Sequence, residues 1–109
     1  MQTYFTTSTA PGFTWSFADQ AGNALPLTGA SFRLTYRCLN NFQKVSGSGG
    51  WGTPSGNQVA YTLGSSDMAN AYALVSTLVG KAKFEVYATA IVGGLEYDAL
   101  PIVIEICKI

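Results

Sequence analysis

No histidine occurs in this chain, and that absence closes most routes to catalysis. Ser–His and Cys–His nucleophiles both need an imidazole to take the proton. Zinc loses its commonest nitrogen ligand, and Cys38 and Cys107 are too far apart in sequence to replace it. The carboxylates Asp19, Asp67, Glu85, Glu96, Asp98 and Glu105 are scattered. Glu96 and Asp98 fall at i, i+2 on one strand face. That spacing could hold a weak calcium ion or work as a glycosidase-like pair, but a solvated hairpin flank is the simpler reading. Gly47-Ser48-Gly49-Gly50 lacks the lysine and the following helix of a phosphate loop. Ser65, Ser66 and Asp67 read as helix caps. No catalytic constellation results, so the chain is expected to be non-enzymatic, with no cofactor and no metal.

The two cysteines permit one disulfide, but neither spacing nor context demands it. Both are expected to act as small buried hydrophobes. Composition bounds the rest. The 109 residues fit one domain, with 48% hydrophobic and 11% charged residues and zero formal net charge. Ordinary domains carry about 25% charged residues. So few charges favour self-association, or a surface covered by partner chains. Without a basic field, nucleic-acid binding is not expected. No apolar run approaches a membrane span. The opening residues, MQTYFTTSTAPGF, have no basic and no long apolar region, so they are not expected to act as a signal peptide.

The elements that must position these groups are strands. Ser31–Cys38 alternates Phe32, Leu34, Tyr36 and Cys38 against Ser31, Arg33, Thr35 and Arg37. This is the period of a half-buried strand, and its apolar face needs a second layer. Phe13, Trp15 and Phe17 share one face of an earlier strand. Residues 19–27 form a turn at Gly22-Asn23, with Pro26 fixing an extended exit. Residues 39–56 read as one long Gly/Ser-rich loop carrying Trp51, either as a contact point or as a lid on the sandwich end. Residues 58–63 alternate again. Met68, Tyr72, Val75 and Val79 fall at helical spacing, predicting a helix over 67–79 that stops at Gly80, with a strand over 72–79 as the alternative because Val75, Thr77 and Val79 are β-branched. Residues 83–91 return to strand, Gly93-Gly94 marks a hairpin, and 102–109 is a last strand apolar on both faces. The expected fold is a mainly β, immunoglobulin-like antiparallel sandwich of six or seven strands, with one short helix in a late crossover. Residues 1–12 are an arm or edge strand, and 13–109 are the domain.

The segment G-N-Q-V-A-Y-T-L-G-S-S-D-M (56–68) resembles a pattern of tailed-bacteriophage virion proteins. There a Gly precedes a V-x-Y-x-L strand, followed by a polar turn with Asp and a short helical crossover. G-K-A-K-F-E-V-Y-A (80–88) looks like the strand that follows, and F-x-D-x-x-G-x-x-L-P-L (17–27) also fits. The chain is therefore similar to the N-terminal immunoglobulin-like domain of the phage baseplate upper protein and to related head and tail-fibre modules. It departs in spacing, with Gly80-x-x-x-Phe84 where such modules carry Gly-x-Tyr. The long C-terminal extension that such modules often bear is not expected here.

The resemblance implies a non-enzymatic virion subunit. It would decorate or cement the capsid, or adapt fibres to the tail or baseplate, after assembly in the host cytoplasm. The implied partners are other virion proteins, in a homo-oligomer or symmetric lattice, without nucleic acid or membrane. Tyr4, Phe5, Phe42, Trp51, Ile102, Ile104, Ile106 and Ile109 are the candidate protein-contact residues. The alternative is a carbohydrate-binding module, with Trp15, Trp51 and Tyr97 stacking on sugar rings. An extracellular adhesion module is the third reading, and the absence of a signal peptide argues against it.

Overall fold

The computed structural model describes residues 1–75 and 80–108. Its strands are β1 (Gln2–Phe5), β2 (Phe13–Ser16), β3 (Ser31–Cys38), β4 (Lys44–Ser46), β5 (Gly50–Trp51), β6 (Gln58–Thr62), β7 (Lys81–Val92), β8 (Leu95–Asp98) and β9 (Ile102–Cys107), with helix α1 (Asp67–Tyr72) between β6 and β7. They form the expected two-layer β arrangement. A larger sheet runs β1-β9-β7-β3-β4, with β8 also on β7, and a smaller one runs β2-β6-β5.

The long strands β3 and β7 carry the frame, and their register explains the core. Leu34 lies opposite Ala88, and Phe32 opposite Ala90. These small residues leave depth for the aromatic rings of the other sheet. Phe13, Trp15, Phe17 and Tyr61 fill it, joined by Tyr4 from β1 of the larger sheet, and all are buried. Ring centroids are 5.9 Å apart for Tyr4 and Phe13, and 6.2 Å for Phe17 and Phe32, so aromatic contacts hold the layers together. Gly93 and Gly94 both have positive φ, the backbone a two-residue β7–β8 hairpin requires.

Four expectations are corrected. The sheet is mixed, because β1 pairs parallel to β9. Tyr4 is what draws β1 in: its ring is buried, and its hydroxyl donates to the Pro11 carbonyl at 2.9 Å. The 39–56 stretch is not one irregular loop. Its β4 pairs with β3 and its β5 with β6, so it crosses from one sheet to the other. The helix is shorter than 67–79. After Tyr72, the Leu74 and Val75 amides reach back only three residues, and Asn41 Nδ2 donates to the Leu74 carbonyl at 2.7 Å. The remainder of that predicted helix, 76–79, lies outside the described residues. Finally, Ser66 occupies the N-cap position without a side-chain capping bond, and Asp67 turns inward.

Both cysteines are free thiols: Cys38 is buried, and Cys107 is half-buried on β9. A thiol reagent is therefore expected to label Cys107 in the native protein and Cys38 only on unfolding. Mass spectrometry of the labelled native chain checks this, and rapid addition of two labels would contradict it.

Candidate functional site

Asp67 is the polar hub of the molecule. It is 2% exposed, at the start of α1, facing the interior. Its Oδ2 accepts the Tyr36 hydroxyl at 2.9 Å and the Tyr61 hydroxyl at 2.5 Å. Its Oδ1 accepts the Ser48 amide at 2.9 Å and the Ser48 hydroxyl at 3.0 Å. The Tyr61 oxygen in turn accepts the Gly49 amide at 2.7 Å. Four segments are thus joined: β3, the 47–49 crossing, β6 and α1. A buried carboxylate is tolerable only when its lone pairs are filled in this way.

The electrostatics follow from that geometry. Burial pushes the Asp67 carboxyl up. The Tyr61 hydroxyl, the Ser48 amide, the Tyr36 hydroxyl and the Gly64 amide outweigh it and hold the group below the usual carboxylate range. Burial, joined by the Asp67 charge, raises Tyr36 and Tyr61 far above an ordinary phenol. The trio is a lock rather than an acid–base set, because its hydroxyls stay protonated and all three residues are buried.

The lock positions Trp51. Two residues past Gly49, its ring packs 4.8 Å from Tyr61 edge-on and 5.2 Å from Phe32. Trp51 is half-buried, folded back onto the body as the lid reading expected. It closes the end of the sandwich, and it lines an open groove of about 810 Å³. Phe32, Leu27, Pro26 and Pro54 line it together with Trp51. No charged side chain lines this groove.

Charge is segregated over the surface. Apart from Asp19 and the buried Asp67, every charged side chain sits on a strand of the larger sheet or, for Lys108, one residue beyond it. Arg33 pairs with Glu96, and Arg37 with Glu85, each at 3.0 Å. The smaller sheet turns Thr14, Ser16, Gln58, Ala60 and Thr62 outward, without one charge. Glu96 and Asp98 are engaged separately, because Asp98 accepts the Thr89 hydroxyl at 2.6 Å while Glu96 holds Arg33. Among the described residues, no three His, Cys, Asp or Glu side chains gather as a metal set.

The predicted contact residues divide. Tyr4, Ile104 and Ile106 are core, which corrects their assignment to the surface. Their strands alternate, and these are the inward positions. Phe5, Phe42 and Ile102 are exposed, and Ile109 lies outside the described residues. Phe42 is 64% exposed, with φ of 60°, and the Arg37 guanidinium lies over its ring at 5.4 Å. A phenylalanine held in the left-handed region is uncommon. The sugar-stacking trio is dispersed, with Trp15 in the core and Tyr97 on β8 away from Trp51. Sequence reasoning missed Asp67 as a hub and Leu100 as an exposed apolar residue. The Leu-Pro step before β9 was the available signal for the second.

No protein-family model, curated protein or solved structure matches this chain.

Proposed function

We propose that this chain is a non-enzymatic structural subunit of a bacteriophage virion, holding neighbouring proteins through uncharged surfaces. The observation that carries the docking role is the segregation of charge. One sheet bears the ionic groups, while the smaller sheet and the Trp51 groove bear none. Surfaces of this kind shed water without stranding a charge. The exposed, conformationally strained Phe42 and the exposed Phe5 add apolar contact points.

The virion assignment rests on the sequence resemblance, and the structure gives its motifs a physical meaning. The Tyr of V-x-Y-x-L and the Asp of the following turn are Tyr61 and Asp67, hydrogen-bonded to each other. The L-P-L of the early motif supplies Leu25, Pro26 and Leu27 to the groove. Strand addition is a poor route at the Phe5 end of β1. There the Phe5 amide donates to Ser8 Oγ, and its carbonyl accepts the Ser8 amide, so the edge is closed by its own turn.

The test is to purify phage particles from cells that encode the chain and analyse them by mass spectrometry. The chain is expected in the particle band at a fixed ratio to the shell or tail protein. Its recovery only as free protein would end the virion reading. The carbohydrate alternative keeps one favourable observation, the Trp51–Phe32 groove with its neutral lining. Specific glycan-array binding abolished by Trp51→Ala would favour it.

A further inference from the structure

β2 is an edge strand of the smaller sheet, with β6 as its single neighbour. The bonds around it fix where its main-chain groups point. The Phe17 amide donates to the Asn57 carbonyl at 3.0 Å, in line with the pairs Trp15–Val59 and Phe13–Tyr61. The Ala60 carbonyl, opposite Thr14, is turned away to accept the Gly52 amide at 2.9 Å. Successive residues of a strand send their N–H and C=O groups to opposite sides. Thr14, Ser16 and Ala18 therefore aim theirs at the open edge, and among the described residues no loop amide, loop carbonyl or side chain bonds to them. The other edges are guarded. β4 carries Lys44, β8 carries Glu96 and Asp98, β5 is two residues long, and β1 is closed at Phe5 by its own turn. β2 has no charge, no proline and an unbroken register, so it lacks every device that keeps a strand edge single. Asp19, just beyond it, is tied into its own turn by the Ala21 and Asn23 amides at 3.0 and 2.9 Å.

We propose that two copies of this chain pair through β2, antiparallel, about a twofold axis at Ser16. Ser16 then lies opposite Ser16 of the second copy, and Thr14 opposite Ala18 on either side of the axis. Each open N–H meets a C=O, so the complementarity is one of donors with acceptors, and its direction is set by the bonds to β6. A second copy is the occupant because a twofold seam sets each side chain beside its own kind. A charged edge such as β4 or β8 is excluded there, since like charges would face one another. Thr14, Ser16 and Ala18 are exposed, small and uncharged, and an edge of such residues can meet itself. The pairing also continues the antiparallel sense that β2, β6 and β5 already share, joining the two smaller sheets into one. Their outward faces, free of charge in each copy, become a single surface. The contact is isologous and stops at two. The inference rests on the assembly role proposed above and specifies one of its contacts.

Sedimentation velocity of the full chain over a range of concentrations, with amide hydrogen exchange followed by NMR, tests this. Wild type is expected to form a dimer and nothing larger. The Thr14, Ser16 and Ala18 amides are expected to exchange fast in dilute protein and to become protected as the dimer forms, while the Trp15 and Phe17 amides stay protected throughout. Ser16→Lys sets two cations across the axis, and Ser16→Pro removes a donor from the seam without touching the ladder to β6. Each is expected to weaken association by at least about tenfold. Thr62→Lys, exposed on the same sheet but on its central strand, is expected to pair like wild type. Circular dichroism verifies that all three fold. A monomeric wild type, a dimer that leaves the three amides unprotected, or Ser16 variants that pair like wild type would each overturn the seam. A monomer that still co-purifies with particles removes only the self-pairing and gives the edge to another protein's strand. A β2 dimer that never enters particles removes only the virion reading.

Discussion

Asp67→Asn is expected to destabilise the fold by about 3 kcal/mol, because it leaves buried donors without acceptors. The amide keeps one oxygen but replaces the other with a donor. Tyr36, Tyr61 and Ser48 present four donors to the native carboxylate. At least one buried hydroxyl then faces an N–H, and the charge that strengthened the rest is gone. Such a loss is a large share of the roughly 5–15 kcal/mol typical of a domain. Chemical denaturation of the two proteins measures it, and a midpoint unchanged by the substitution would contradict the hub. The same carboxylate gives a pH signature. Its folded value lies below its ordinary one, so its stabilisation is complete above the unfolded value, roughly 3.9, and is lost as pH falls through the lower folded value. In Asp67→Asn that part of the acid-side slope should vanish.

Gly49→Ala is expected to cost about 2–3 kcal/mol and to loosen Trp51. A Cβ at Gly49 would run into the Thr62 carbonyl and lie 2.7 Å from the Tyr61 ring and from the Gly64 amide nitrogen. Two of these neighbours are backbone of the adjoining strand and turn, which cannot swing aside as a side chain could. Relief requires the 47–51 crossing to lift away, breaking the Gly49 amide bond to Tyr61 and the β5 pairing that carries Trp51. Indole fluorescence reports the change as a red shift and greater quencher access, alongside a lower melting temperature. Gly50→Ala is the control, since its Cβ would meet nothing within 4 Å. Equal effects at the two glycines would sink the argument.

Where one period ran unbroken, residue order was enough to place the structure. Alternation in Ser31–Cys38 and around Phe84 puts Leu34, Tyr36, Cys38, Phe84 and Val86 in the core, and the structure buries them all. Gly93-Gly94 announced its hairpin because few other residues adopt two consecutive positive φ values. The scarcity of charge and the absence of histidine needed no coordinates.

What only the folded chain decided is how segments distant in sequence meet. Asp67 sits after two serines before a helical pattern, which is the local signature of a cap. Its partners Tyr36 and Ser48 are 31 and 19 residues away, and nothing local encodes that meeting. The Gly/Ser-rich 39–56 stretch looked structureless because small residues carry no periodicity. Gly49 is there so that one backbone can pass another at close range, a constraint set by β6 and the turn after it. The groove likewise arises from the closing of the layers, which brought Phe32 of the larger sheet against Trp51 of the smaller one. Short-range pattern follows from the alternation of side chains along a strand. Long-range pairing depends on which faces find each other, and that was fixed only when the two layers closed.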